Sequence, residues 1–270
     1  MMVGFAVLIG EIVVYKTIFP LKTVLGFITG FSITGASMIS NDYWDRGVDK
    51  INSPKRPIPS GRVTSKEAAI FATIFSVIGL VSACFINFPT SLIIASIGLL
   101  MFFSYNYRVK QSGFMGNVLV SASIILPLVF GGSIQPQTST SVRSLTLLIF
   151  FELMIFFANT GREVNKGISD IEGDKVRKIS TIALKYGPKA AAQLSSAFYL
   201  FAVFLSPLPW FLGLVSWLYI PSVAVVDLGF VASVFILLKD YSKENALKVK
   251  RMVLVWMLLG LLSFVVGAVQ

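Results

Sequence analysis

Stretches of about twenty residues nearly free of charge recur from one end of this 270-residue chain to the other, and that recurrence rules out most folds. Twenty apolar residues in a helix cover the roughly 30 Å of hydrocarbon in a bilayer. With 55% hydrophobic residues, 13% charged residues and a mean hydropathy of +0.80, the chain carries more apolar surface than a soluble domain of its size can bury. Lipid offers the backbone no hydrogen-bond partner, so segments of this kind must be helical. Nine spans can be drawn, near residues 2–15, 22–42, 66–87, 90–107, 114–133, 144–166, 188–206, 211–238 and 249–268. The expected fold is therefore all-α and integral to the membrane, a single domain over residues 1–270 with no room for a folded soluble part. Residues 1–15 lack the basic lead and cleavage site of a secretory signal, and are expected to form the first membrane helix.

An odd number of spans places the termini on opposite sides. Of the 23 basic residues, 20 fall in the loops after even-numbered spans or on the adjoining helix ends; Lys16, Lys22 and Arg143 fall on the other side. Basic loops stay cytoplasmic, which predicts a cytoplasmic amino terminus. The net charge of +10 is accounted for by these loops, flush with the bilayer, and calls for no nucleic acid partner. The single cysteine, Cys84, lies among apolar residues and reads as packing.

Acidic residues gather in two places on the same predicted cytoplasmic face. Asn41, Asp42, Asp45 and Asp49 begin where the second span reaches the surface, and at 3.6 residues per turn they fall within a sector of about 100°. Asp170 and Asp174 follow the sixth span four residues apart, and the same spacing carried backward meets Lys166 and Arg162. Carboxylates crowded on one face repel, and hard divalent cations take oxygen ligands of this kind. Magnesium uses one or two carboxylates together with substrate phosphates, which suits two acidic ledges facing across a diphosphate. The alternative is that these acids only pair with nearby Lys and Arg at solvated helix ends.

Between residues 52 and 62 three prolines and a glycine make a stiff turn carrying Lys55, Arg56 and Arg62, a candidate lid able to contact phosphate oxygens or a plain connector. Tyr105 and Lys110, at the end of the fourth span, read in isolation as interfacial anchors. The clusters close the second and sixth spans, a spacing that hints at a duplication without a residue-level repeat.

At Asn41-Asp42-Tyr43-Trp44-Asp45-Arg46-Gly47-Val48-Asp49, the following Arg56-Pro57-Ile58-Pro59-Ser60-Gly61 and Asp170-Ile171-Glu172-Gly173-Asp174, the chain resembles the UbiA superfamily of intramembrane prenyltransferases over nearly its whole length. The runs 49–62 and 161–170 look most like the archaeal branch that makes digeranylgeranylglyceryl phosphate. The resemblance implies a horseshoe of nine helices around a central cavity open to lipid at one side. It implies that magnesium on Asn41, Asp45, Asp49, Asp170 and Asp174, with Asp42 a lesser candidate, neutralises the diphosphate of an isoprenyl donor. Lys110, Arg162, Lys166 and Tyr105 would hold that diphosphate, Arg56 and Arg62 would cap it, and a lipid-phosphate acceptor would capture the allylic carbon. It further implies a cell-membrane enzyme working at the cytoplasmic face.

Members usually carry an Arg-Pro-x-Asn-like motif in the first helix, whereas no Asn precedes Asn41 here and Met1 opens inside an apolar helix. Either the true start lies upstream or the contact is dispensed with. Glu152 and Asp227 lie within spans, where a charge is costly, and belong to no recognised motif; Asp227 is expected beside a bend at Pro221 and Glu152 near the outer interface. Two rival functions remain: a relative that prenylates an aromatic ring, and a secondary transporter, whose acids should lie nearer the membrane midplane.

Overall fold

Hydrocarbon forces the backbone to satisfy itself, and the chain responds with helices throughout. The computed structural model describes residues 2–52, 54–107, 109–136, 140–176 and 179–268, and among these there is no strand. The elements are α1 (Met2–Tyr15), α2 (Pro20–Asn52), α3 (Ser65–Cys84), α4 (Thr90–Tyr107), a 3₁₀ turn (Val109–Ser112), α5 (Phe114–Gly132), α6 (Val142–Ser169), α7 (Ile171–Val176), α8 (Ile182–Leu205), α9 (Leu208–Phe211), α10 (Tyr219–Lys239) and α11 (Lys243–Ala268). Eight of these, α2 to α6, α8 continuing into α9, α10 and α11, are long and apolar enough to cross a membrane. At 14 residues, α1 reaches about 21 Å and falls short of that length. Phe71, Val77, Leu228 and Phe235 are 51–71% exposed on the outside of the bundle, an apolar surface suited to lipid. The chain is a multi-pass membrane protein.

Helix starts are written in local chemistry. Thr64 and Glu67 form a reciprocal capping box on α3, the Thr64 hydroxyl accepting from Glu67 N at 3.2 Å and Glu67 Oε2 accepting from Thr64 N at 2.7 Å. Ser141 and Thr181 cap α6 and α8 in the simpler way. Gly187 (φ 88°) and Pro188 kink α8, so its apolar run begins at 188, the boundary hydropathy predicts. Two boundaries differ from expectation. α2 continues ten residues past 42, for a length of about 50 Å, and so stands well out of the hydrocarbon. The span drawn as 211–238 is helical only from Tyr219, as α10, because the chain turns through 212–218 after α9; Pro221 sits in the first turn of α10, where a missing N–H costs nothing, and the bend expected there is absent.

Glycine sets the closest helix contact. A Cβ on Gly10 of α1 would collide with the Leu128 carbonyl of α5, and one on Gly131 would collide with the Val7 carbonyl. Small residues let backbones approach in this way, and they seat α1 against α2, α5, α6 and α11 in the middle of the bundle. The end of α1 is tied by Glu11, fully buried, whose Oε1 accepts from Phe19 N at 2.6 Å and whose Oε2 accepts from the Thr23 hydroxyl at 2.7 Å. On the same side of the bundle the turn after α5 is satisfied by three distant donors: Tyr15 to the Gly132 carbonyl (2.7 Å), Asn87 to the Ser133 carbonyl (2.8 Å) and Lys22 to the Ile134 carbonyl (3.2 Å).

Helices α1, α2, α4, α5, α6, α8, α10 and α11 together line a cavity of about 440 Å³. Its wall is mostly aliphatic and aromatic, with Arg162 at one level and Ser206 and Asp227 at another. Overpacking a contact between backbones costs about 1–3 kcal/mol. Gly131→Val is therefore expected to lower the melting temperature of the detergent-purified protein, while Gly47→Ala, whose Cβ meets nothing within 4 Å inside α2, should hold it level or raise it slightly; equal melting temperatures for the two variants would refute the backbone-contact account.

Candidate active site

The extra turns of α2 keep the first acidic cluster helical to its end, so Asn41, Asp42, Asp45 and Asp49 share one face. Each acid of this ledge has a cation on it. Lys110 Nζ donates to Asp45 Oδ2 at 2.6 Å and to Asn41 Oδ1 at 3.3 Å. It arrives there because the chain leaves α4 through the 3₁₀ turn and reverses at Gly113 (φ 66°), where a Cβ would also strike the Ser180 carbonyl. Asn106 Nδ2 pins the end of α4 to the Ser37 carbonyl of α2 at 3.2 Å. Arg56 reaches down from the proline-rich turn and bridges Asp42 Oδ1 (2.9 Å) and Asp49 Oδ2 (2.8 Å), Asp49 itself being 1% exposed.

The second ledge closes α6. Asp170 is its C-cap and accepts from the Ser169 hydroxyl at 2.9 Å, and Asp174 lies on α7, its N–H bonded to the Asp170 carbonyl at 2.8 Å. Two turns earlier, Glu163 binds Arg162 Nη1 at 2.6 Å and Lys166 Nζ at 3.3 Å. Tyr105, on α4, lies in the electrostatic field of Asp45, Glu163, Lys166 and Asp174, and Lys166 in that of Asp170. The two ledges thus share one neighbourhood, at the level where Arg162 enters the cavity wall.

The geometry sharpens several sequence expectations. The basic stripe of Arg162 and Lys166 takes its direct ion pairs from Glu163, with Asp170 and Asp174 further off. Arg62 stays within its own turn, donating to the Lys55 carbonyl and the Ser60 hydroxyl, and is not brought to the ledge. Asp227 does line the cavity, accepting from the Ser206 hydroxyl at 2.6 Å. Glu152 lies ten residues into α6, about 15 Å from its start, with Oε1 buried and unpartnered. Arg108, Arg177 and Lys178 of the basic tally lie outside the described residues.

Glu163 and Asn159 escaped the sequence reading. The signal for Glu163 was present, an acid placed between Arg162 and Lys166 at one and three residues, the spacing of helical neighbours. Asn159, 1% exposed, lines the cavity one turn inside Arg162 and donates to the Ser121 hydroxyl at 3.1 Å.

The pairing expected of plain helix-end acids is present on the first ledge. Among the described residues no three acids converge into a ready-made cation cage. A donor set of two separate oxygen ledges fits magnesium, which completes its shell with water and phosphate, better than calcium, which takes six to eight oxygen ligands.

The model of the UbiA prenyltransferase family matches residues 3–268. The digeranylgeranylglyceryl phosphate synthase of Methanosphaera stadtmanae is 32% identical over 92% of this chain and 88% of its own length. That of Archaeoglobus fulgidus is 34% identical over 99% and 91%. A solved structure of digeranylgeranylglyceryl phosphate synthase superimposes with a TM-score of 0.83 at 31% identity, over 99% of this chain and 93% of that one. A UbiA homologue from Archaeoglobus fulgidus bound to DMAPP and Mg2+ shares the fold, with a TM-score of 0.72 at 16% identity over 97% of this chain and 94% of that one. Spanned almost end to end by the family and matched by relatives above 30% identity, this chain belongs to the UbiA prenyltransferase family.

Proposed function

We propose that the chain transfers a geranylgeranyl group from geranylgeranyl diphosphate to the free hydroxyl of geranylgeranylglyceryl phosphate, forming digeranylgeranylglyceryl phosphate for archaeal ether lipids. The observation that carries this reading is that acids of both ledges act electrostatically on Tyr105, beside an apolar cavity that Arg162 helps to line. Diphosphate chemistry needs charge at one end of the substrate, a prenyl chain needs hydrocarbon at the other, and the site supplies both in sequence. The synthases similar to this chain over most of their length support the choice of acceptor. The whole chain acts as one domain in the cell membrane, with α1 completing a horseshoe of nine helices, the amino terminus in the cytoplasm and the site facing it.

Asn41, Asp45, Asp49, Asp170 and Asp174, with Asp42 at the edge, would hold magnesium, which when bound neutralises the diphosphate and eases its departure. Lys110 and Arg56, now on the acids of α2, sit where they can turn to phosphate oxygens once a divalent ion takes their place. Lys166 and Arg162 hold the diphosphate from α6, oriented by Glu163, and Tyr105 donates its hydroxyl from α4. Arg62, expected as a second cap, instead braces the turn that carries Arg56. The aliphatic wall encloses the prenyl chain and keeps water from the allylic carbon, so the bound hydroxyl captures it. The isoprenyl diphosphate donor and the lipid-phosphate acceptor both enter from the membrane.

Two experiments test this. Purified protein given magnesium, geranylgeranyl diphosphate and either geranylgeranylglyceryl phosphate or a hydroxybenzoate should prenylate the lipid; prenylation of the benzoate alone would reassign it to the aromatic branch. Asp45→Ala and Asp174→Ala should each lower the turnover number by about 10²–10³-fold, the usual loss when one group stabilising transition-state charge is removed. Chelation by EDTA should abolish transfer and added magnesium restore it; transfer that survives both substitutions would refute the metal site.

A further inference from the structure

Arg162 and Asn159 both line the cavity from α6, three residues and therefore about 4.5 Å apart along the helix. If Arg162 holds the diphosphate, Asn159 stands beside the first carbon of the prenyl chain, where the acceptor hydroxyl must arrive. Its amide is held in one orientation by its neighbours. The Ser121 hydroxyl donates to the Asn117 carbonyl at 2.9 Å, so its oxygen is left to accept, and Asn159 Nδ2 donates to it at 3.1 Å. That places the amide N–H on α5 and leaves carbonyl Oδ1 as the end that can serve a ligand; among the described residues it has no hydrogen-bond donor.

Thr34 lines the wall from α2, not from α6 where Arg162 and Asn159 stand, and the remaining polar groups are committed or misplaced. Thr29 and Ser123 give their hydroxyl protons to the Leu25 and Leu119 carbonyls of their own helices. Ser206 donates to Asp227, and the pair lies too deep. Ser195 marks the level of Gly161 by donating to its carbonyl at 2.8 Å, and Ser206 is eleven residues further along α8, about 16 Å.

We infer that Asn159 Oδ1 accepts a hydrogen bond from the acceptor hydroxyl and so aims its oxygen at the allylic carbon, selecting an alcohol as nucleophile. The inference rests on the function proposed above. In the step, the bond between the allylic carbon and the diphosphate oxygen breaks with its electrons leaving on the diphosphate. The acceptor oxygen forms the ether bond, and its proton passes to the released diphosphate. Asn159 holds the hydroxyl and remains neutral throughout. Ser121 is a positioning residue.

The test measures steady-state kinetics of the purified full-length protein with magnesium, geranylgeranyl diphosphate and geranylgeranylglyceryl phosphate. Asn159→Leu should raise the KM for the acceptor, or lower kcat/KM for it, by about tenfold, the worth of one hydrogen bond to a substrate. The KM for the donor and the slow release of diphosphate without acceptor should change less than twofold. Ser121→Ala, the milder lesion, should shift the acceptor parameter in the same direction, and it decides the matter should Asn159→Leu not fold. Equal losses toward donor and acceptor, or an unmoved acceptor parameter, would overturn the role of Asn159 while leaving the function intact. Failure of the unsubstituted protein to prenylate the lipid would overturn both.

Discussion

Charge in a membrane protein must be compensated where it stands, because hydrocarbon offers it nothing. That constraint arranges this molecule. Its clustered carboxylates occupy helix ends beyond the apolar spans, and each acid of the α2 ledge meets a cation delivered by a neighbouring turn. Lys110 comes from the reversal after α4, and Arg56 from the proline-stiffened turn after α2. A partly buried pair of this kind adds little net stability, but loss of Arg56 would strand the buried Asp49, so the two turns are held in register with α2. The geometry of the loops follows from the need to neutralise the helices.

The same constraint explains how much could be read from sequence. Spans are legible because twenty apolar residues have one structural use, and hydropathy located even the start of the straight part of α8 at Pro188. The acidic clusters are legible because helical spacing puts them on one face. The partners of those acids are not, since Lys110 lies 65 residues from Asp45 and is placed by a reversal at a glycine. Arg56 and Arg62 look equivalent in the sequence. Only the folded turn separates them, by committing Arg62 to the Lys55 carbonyl and leaving Arg56 to reach the ledge. Glu11 is opaque for a similar reason, since an acid in an apolar segment shows its purpose only when the N–H of Phe19 folds back onto it.

The apolar cavity is the complement of the charged site. It draws wall residues from eight helices, and its few polar groups are mostly bonded to one another or to their own backbone. A wall of that kind has little to offer water and much to offer a prenyl chain, whose charged end would be drawn to the level of Arg162 and the two ledges.

Because Lys110 and Arg56 occupy the carboxylates that would hold a metal ion, the ion and the diphosphate are not independent ligands. On the proposed function, an ion held by the ledge would free these two cations for the diphosphate, and a diphosphate that attracted them would free the carboxylates for the ion. Each would then raise the affinity for the other by the same factor, as linkage requires. Saturation of the site would become a joint event, governed by the product of two concentrations more than by either alone.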